Sequence, residues 1–201
     1  MAKNLENLEK RIAELEKKVA EFAENKVVKI SKSLGIGDTF EIAGLMWKIL
    51  DITDYGYKCL AEKLGERTVF DPDCNDWRES DLREYLNGDF LKKLESVIGA
   101  DNIIPFERDL LSLDGQTEYG TCEDKVSLLT VDEYRQYRKL IPNTNDYWWW
   151  LITPWSTPCN DIERSVTVVS SSGYFLSGHC RRNLGVRPFC IFSSSIFESE
   201  E

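Results

Sequence analysis

The chain has very little histidine and no closely spaced pair of cysteines. His179 is the single histidine, and none of the six cysteines falls in a CxxC spacing. Structural zinc sites draw their ligands from such pairs, so we expect no metal and no cofactor. One histidine also gives no Ser-His-Asp candidate, and the sequence has no glycine-rich phosphate loop. These absences exclude common hydrolase and nucleotide-binding classes, and we predict no catalytic residue.

Long apolar runs and an excess of basic residues are also missing. No run approaches the roughly 20 residues of a membrane helix, and the start, MAKNLENLEKR, lacks the apolar segment of a secretory signal. Lys and Arg number 25 against 35 Asp and Glu, a net charge of −10, which disfavours nucleic acid and anionic lipid as partners. We expect cytoplasmic synthesis without a signal peptide, no membrane insertion and reduced cysteines.

Residues 1–25 have the pattern of a coiled-coil oligomerisation helix. Apolar residues alternate three and four positions apart, at Leu5, Leu8, Ile12, Leu15, Val19 and Phe22. The segment RIAELE, residues 11–16, resembles the R-h-x-x-h-E motif of short parallel trimers, which predicts a homotrimer. Two β-branched a positions with leucine at two d positions favour a homodimer as the second choice. A third interpretation packs this helix on its own domain.

Residues 34–201 are expected to form one α+β domain with an antiparallel sheet and segregated helices. Between residues 38 and 63, short β-prone runs separated by turns predict a meander of two or three strands. After Pro142 the pattern is all β, in the runs YWWWLIT, RSVTVVS, GYFLSG and GVRPFCIFSSSIF. The alternation in the middle two runs predicts a hairpin around the Ser-Ser-Gly turn.

Three helices are predicted in the middle of this domain. The first covers NDWRESDLREYLN, because Asp76 and Glu79 can form a capping box and Asn87 with its following glycine supplies a stop. A second, short helix is expected over DFLKKLESVIG. The third follows a buried strand in SLLTVDEYRQYRKLI and is capped by Thr130 with Glu133.

The acidic segment DPDCNDWRESD invites a calcium interpretation. Its side chains match EF-hand loop positions 1, 3, 5 and 9 at Asp71, Asp73, Asn75 and Glu79. Position 6 is Asp76 instead of glycine and position 12 is Leu82 instead of glutamate, so the template fails where its geometry is strictest. A helix cap explains the same residues, and we predict no metal ligand here.

The C-terminal third carries a specific order of motifs. WWL-x-[ST]-P is followed by a glycine turn and then by GVRPF, formed by residues 149–151, Thr153, Pro154, Gly173 and residues 185–189. Residues 75–91 fit the pattern N-x-W-x-x-S-x-L-R-x-x-L-N-x-x-F. Together, from about Gly37 to Phe192, they resemble the C-type-lectin-like domains of prophages and mobile elements in Gram-positive gut bacteria. That family of unknown function is distantly similar to formylglycine-generating enzymes.

The resemblance implies a rigid C-type-lectin-like scaffold that carries variable residues near its C-terminal end. Several proteins of this fold are the variable products of diversity-generating retroelements, and their usual role is to bind a host surface or a protein partner. It also implies a phage particle as one destination of the chain. Ile152 stands where relatives commonly carry arginine, which weakens any role of that arginine. The calcium motifs of sugar-binding C-type lectins are absent, which disfavours metal-dependent sugar binding.

Two other functions stay open under the same resemblance. One is a thiol enzyme of the formylglycine-generating type, in which Cys180 would be activated by His179, Arg181 and Arg182 beside it. The family's second, closely spaced thiol is missing here. The other is a structural component of a phage tail or baseplate, in which the coiled coil carries the function.

The residues themselves favour a binding surface near the C-terminus. From Trp150 to Cys190, four arginines against one aspartate and one glutamate give a charge of +2, whereas the remainder carries −12. Residues 155–164 and 174–184 are rich in residue types of binding hot spots, and we expect the hairpin to bring them together as two loops. The predicted ligand-binding residues are Trp155, Asn160, Ile162, Arg164, Tyr174, Leu176, His179, Arg181, Arg182 and Asn183. The expected ligand is a protein or a cell-surface structure.

Some of these residues have a purely structural interpretation. At least two of the tryptophans at positions 148–150 are expected in the core, since a strand alternates its faces. Arg187 is expected to act as a structural fork that ties a strand to a loop by bidentate bonds. His179 fits an exposed turn, and Arg181 and Arg182 fit a solvated surface equally well.

Overall fold

The computed structural model describes residues 11–15, residue 30 and residues 34–197, with the backbone alone at Glu66. Residues 11–15 are helical and exposed. The rest of the predicted coiled coil, and with it the trimeric or dimeric state, lies outside the described residues. Residues 34–197 combine helices with mainly antiparallel sheets, which confirms the α+β class.

The first sheet begins with the predicted meander. Its strands are β1 (Thr39–Ile42), β2 (Leu45–Thr53), β3 (Gly56–Ala61), β5 (Ile103–Ile104), β8 (Val126–Ser127) and β13 (Phe189–Ser193). β1, β2 and β3 pair antiparallel in chain order, as the sequence predicts. β13 lies antiparallel to β3, and β5 and β8 both pair with β13. The last strand of the domain therefore lies at the centre of its first sheet.

The second sheet contains the predicted hairpin. In spatial order its strands are β11 (Phe175–His179), β10 (Ser165–Val169), β9 (Trp149–Pro154), β12 (Leu184–Val186) and β4 (Leu64–Thr68). All neighbours are antiparallel except β12 and β9, which run parallel with Gly185 opposite Trp149. β10 and β11 form the hairpin that the sequence predicts. A separate two-stranded sheet pairs β6 (Phe106–Asp109) with β7 (Thr121–Asp124).

Residues 34–197 contain three α-helices: α1 (Asp81–Tyr85), α2 (Leu91–Ile98) and α3 (Val131–Tyr137). Short 3-10 turns cover Trp77–Glu79, Ala100–Asn102, Pro158–Asn160 and Ser194–Phe197. The capping box predicted for α3 is present. The Glu133 N–H donates to Thr130 Oγ1 at 3.0 Å, and the Thr130 N–H donates to Glu133 Oε2 at 2.8 Å. Within the described residues no helix has the length and apolar character needed to cross a membrane.

The boundaries predicted for the first helix are wrong at both ends. Asp76 caps only the 3-10 turn, and Ser80 caps α1 by accepting a hydrogen bond from the Arg83 N–H at 3.2 Å. Asn87 does not end the helical segment, because a π-helical turn, Leu86–Phe90, leads into α2. Its side-chain amide instead bonds β8, donating to the Val126 carbonyl at 2.8 Å and accepting the Val126 N–H at 3.1 Å. This tertiary use of Asn87 explains why the stop signal fails.

Strand β9 separates two hydrophobic clusters. Trp149 packs in the cluster that contains Phe189, and Trp150 packs in the cluster that contains Phe70. Both tryptophans are buried, since the strand alternates its faces and both faces are covered. The Trp150 Nε1–H donates to the Thr68 carbonyl at 3.0 Å. The prediction that at least two of the three consecutive tryptophans lie in the core is confirmed.

Candidate ligand-binding surface

Six of the predicted site residues meet at one end of the β10–β11 hairpin. Ser165 lies opposite His179 at this end, and Val169 lies opposite Phe175 at the other. Residues 155–164 enter β10 at Ser165, and Cys180 and Arg181 follow β11 after His179. We name this end, with its two connecting segments, the hairpin base. It carries Trp155, Asn160, Ile162, Arg164, His179 and Arg181.

Two predicted site residues lie away from the hairpin base. Residues 174–184 are not a single loop, because most of the first half of this segment is β11. Tyr174 is exposed in the turn at the far end of the hairpin, about 16 Å away for five strand residues. Leu176 lies opposite Val168 and packs against the core. The hairpin therefore separates Tyr174 from the loop at residues 155–164 instead of joining them.

Arg182 and Asn183 also lie apart, in a cleft of about 460 Å³ beside residues 146–148. The Arg182 guanidinium is 5.6 Å from the centroid of the Trp148 ring. The ten predicted residues thus lie in four places: six in the hairpin base, two in this cleft, Tyr174 in the far turn and Leu176 against the core.

A buried side chain from outside both segments fixes the backbone of the hairpin base. Asn75 is fully buried, and its Nδ2 donates to the carbonyls of Ser156, Ser165 and Ile162 at 2.9, 2.7 and 3.3 Å. Its Oδ1 accepts the Tyr119 hydroxyl at 2.6 Å. The course of residues 155–165 therefore depends on one amide below the surface. Our sequence reasoning missed this role, although Asn75 opens the N-x-W motif.

Residues 110–120 brace the same segment from a second side. Asp114 Oδ2 accepts the Ser156 hydroxyl at 2.7 Å and the Asn160 amide at 2.9 Å. Hydrogen bonds from the Ser112 and Ser156 hydroxyls lower the pKa of the Asp114 carboxyl. Glu118 accepts the Cys159 N–H at 3.4 Å. Asn160 thus has a bracing contact while its side chain stays exposed.

Two of the four arginines in the positive segment are engaged by the acidic loop at residues 71–73. Arg181 Nη2 lies 2.6 Å from Asp73 Oδ1, and its Nε donates to the Pro72 carbonyl. Arg164 Nε donates to the Asp73 carbonyl at 3.1 Å. The charge reversal seen in the sequence is therefore partly neutralised where the two loops meet.

The carboxylate of Asp71 holds that loop and the start of α1. It accepts the backbone N–H groups of Asp73, Cys74 and Asp81 at 2.6, 2.8 and 3.2 Å. Burial would raise the pKa of Asp71, but these N–H groups outweigh it and lower the pKa. The sequence predicts a cap by Asp76 with Glu79, whereas Asp71 supports the backbone before α1 and Ser80 caps the helix. In the part of the chain that the structure describes, no group of His, Cys, Asp and Glu is placed to hold a metal ion.

Arg187 has the structural role that its motif predicts, with different contacts. It is buried, its Nε donates to the Ala61 carbonyl at 3.0 Å, and its guanidinium lies 5.1 Å from the Trp149 ring centroid. One hydrogen bond and stacking on a tryptophan replace the expected bidentate pair.

The Cys180 thiol lacks the surroundings of a reactive nucleophile. It is fully buried, and burial followed by the charge of Asp71 raises its pKa. His179 Nδ1 is 3.9 Å from its sulfur. All six cysteines are free, and Cys159 is exposed at the hairpin base. A thiol enzyme needs a lowered pKa, which this position does not supply.

Comparison with known proteins gives one match. Residues 110–194 match the family described as a domain of unknown function, DUF6273. No curated protein and no solved structure matches the chain. The matched range begins at the bracing segment of Asp114 and includes the whole hairpin, whereas Asn75 and the acidic loop lie before it.

Proposed function

We propose that this chain is a ligand-recognition protein that binds a protein or cell-surface ligand through the outer face of the hairpin base. One observation carries the proposal: the buried Asn75 amide holds the backbone of residues 155–165 from below. In a loop held in this way, the outward side chains can be substituted while the backbone keeps its conformation. That combination is what a recognition surface requires.

The outer face has the chemistry of a protein-binding patch. Asn160, Arg164, His179 and Arg181 are exposed, and Trp155 is half-buried beside them. Aromatic and arginine side chains supply binding hot spots, and amides supply adaptable hydrogen bonds. The buried, high-pKa thiol of Cys180 argues against catalysis at the same place. The likeness to C-type-lectin-like variable proteins, which display variable residues near the same end of the chain, supports the same function.

Display in several copies completes the proposal. Ile12 and Leu15 are helical residues with 51% and 60% of their surface exposed, which leaves these two positions of the predicted a/d stripe uncovered. A homotrimer through residues 1–25 would cover it and would place three recognition surfaces on one particle. Repeated weak sites raise the overall affinity without improving any single contact. Attachment to a phage particle and diversification by a retroelement belong to this same proposal.

Binding to intact cells tests the recognition surface. The labelled full chain is applied to a panel of Gram-positive gut bacteria, beside a variant with Asn160→Ala and His179→Ala. The variant should bind at least about tenfold more weakly, because hot-spot truncations have that effect. Its melting temperature should fall by no more than a few degrees, since both side chains are exposed and Asn160 loses only its bonds to Asp114 and Ser156. Tyr174→Ala is the matched control, since it removes an exposed side chain at the far end of the same hairpin. Equal binding by all three proteins, or binding to no cell, contradicts the proposal.

The DNA around the gene tests diversification separately. A near-copy of the segment that encodes residues 148–192, differing at adenines and lying near a reverse-transcriptase gene, is the expected finding. Its absence removes the retroelement from the proposal and leaves a fixed recognition surface.

A further inference from the structure

A second candidate site is the cleft that Arg182 lines, which lies apart from the hairpin base. Residues 146–148 and 182–184, with Arg67, line this cleft of about 460 Å³. Small-molecule sites commonly enclose about 300 to 1,000 Å³, so the cleft is large enough for a monosaccharide-sized ligand. We name it the basic–aromatic cleft.

The arginines of the cleft have unused hydrogen-bond donors. In the part of the chain that the structure describes, no residue accepts a hydrogen bond from the Arg182 side chain, and no carboxylate lies within 4.0 Å of it. Among the described residues, the one acceptor of an Arg67 side-chain hydrogen bond is the Asp146 carbonyl, 3.0 Å from Nη2. A guanidinium carries five N–H donors in a planar fork that matches an oxyanion. Two such forks therefore line one cleft with most of their donors free.

The aromatic wall of the cleft is preformed. The Tyr147 ring lies so close to Gly185 that a Cβ there would come within 2.5 Å of it. Lys63 Nζ lies 5.3 Å from the Tyr147 ring centroid, and the Gly185 N–H donates to the Trp148 carbonyl at 2.8 Å. Tyr147 and Trp148 are both half-buried. Gly185 therefore supports the Tyr147 ring and the Trp148 backbone, and the Arg182 guanidinium lies 5.6 Å from the Trp148 ring centroid.

The charge of the cleft is opposite to that of the whole chain. Arg67 and Arg182 line it together with Asp146, which leaves one net positive charge, while Lys63 and Glu62 both lie beside Tyr147. The chain as a whole has a net charge of −10. Arg181, by contrast, pairs with Asp73. Among the described residues Arg182 has no carboxylate partner, so we treat its guanidinium as available to an anionic ligand.

We propose that the basic–aromatic cleft binds an anionic saccharide, with a carboxylate or a sulfate or phosphate ester on a single sugar ring. The oxyanion lies between the Arg67 and Arg182 forks. The ring packs along the wall of Tyr147 and Trp148, where the Asp146 carboxylate and the Asn183 amide bond its hydroxyl groups. This site is separate from the hairpin base and does not depend on the function proposed for it.

Titration calorimetry on the full chain tests the cleft with three probes at one ionic strength. The probes are glucuronate, glucose 6-sulfate and glucose, so that the ring stays the same while the anion changes. Glucuronate, glucose 6-sulfate or both should bind at least about tenfold more tightly than glucose, because each charge-assisted bond to the forks strengthens binding. The stronger anion identifies which oxyanion the forks prefer. Equal binding of glucose, or no binding by any probe at about 10 mM, overturns the proposal.

Variants locate the binding. Arg182→Gln should weaken binding of the better anion by at least about tenfold, since it removes one fork. Arg135→Gln is the matched control, because it removes an exposed arginine from α3 and should leave binding unchanged. His179→Ala should also leave it unchanged, which separates the cleft from the hairpin base. Unaltered binding by folded Arg182→Gln overturns the proposal.

Discussion

Asn75 links distant parts of the chain through a single side chain. Its amide contacts three carbonyls that lie 81 to 90 residues away, and it accepts the hydroxyl of Tyr119. If the amide were removed, the Ser165 carbonyl would keep the Trp155 N–H, whereas the buried carbonyl of Ser156 and the buried hydroxyl of Tyr119 would lose their hydrogen bond to Asn75. Unpaired buried polar groups are costly. The sequence motif marks the position, but only long-range contacts show the role.

Replacing Asn75 should destabilise the whole domain. Asn75→Ala is expected to lower the free energy of unfolding by about 3 kcal/mol, because several buried partners lose their hydrogen bond together. Tyr119→Phe removes one donor of the same network and should cost about 1 kcal/mol. Urea denaturation at neutral pH measures both. A cost for Asn75→Ala no larger than that for Tyr119→Phe would contradict this account.

Asp71 should make the stability depend on pH. Its pKa in the folded chain is lowered by three backbone N–H groups, so its contribution is present above the ordinary aspartate pKa of about 3.9 and disappears as the pH falls through the lower folded value. Asp71→Asn should therefore cost about 1 kcal/mol at pH 7 and progressively less below about pH 4. Unfolding at several pH values measures the difference. Asp54→Asn, in an exposed turn, is the control, and a cost that does not change with pH would refute the prediction.

A second pH-sensitive element is the start of helix α3. The Glu133 carboxylate closes the capping box and pairs with the buried Arg108, whose Nη2 lies 2.6 Å from Glu133 Oε2. Burial would raise the pKa of Glu133, but the hydrogen bond and charge of Arg108 lower it overall. The helix cap is therefore strongest above the usual glutamate pKa and weakens on acidification.

Local signals explain which elements could be predicted from the sequence. The box at Thr130 and Glu133 needs only residues three apart, and the hairpin of β10 and β11 needs only alternation around a glycine turn. The π-helical turn could not be predicted, because Lys125 and Val126, the partners of the Asn87 side chain, lie 38 and 39 residues away. For the same reason the position of Tyr174 at the far end was missed, since register decides which end a residue reaches.

Strand β11 has a position that tolerates no side chain. A Cβ at Gly178 would lie 2.7 Å from Val168 Cγ1 and 3.0 Å from the Trp150 ring. Gly178→Ala should therefore cost about 1 to 3 kcal/mol by overpacking the hairpin against the core. Ser177→Ala, an exposed neighbour on the same strand, should be nearly neutral. Thermal unfolding compares them, and equal melting temperatures would show that the core yields at this point.

At the scale of the whole molecule, the α+β domain and residues 1–25 are expected to have separate functions. Light scattering should give the full chain three times its mass of 23.2 kDa, and a chain that begins at residue 26 should be a monomer. The reason is that the a/d stripe, with Ile12 and Leu15 exposed, needs a partner helix. A mass twice that of one chain would establish the dimer, and equal states with and without residues 1–25 would refute self-association through this helix.

The support of the hairpin base from Asn75 also sets a lower limit on what can be moved between proteins. A graft of residues 110–194 alone would carry the displayed side chains and leave behind the amide that shapes their loop. Libraries or chimaeras built on this domain should therefore transfer the segment around residues 70–80 together with residues 110–194.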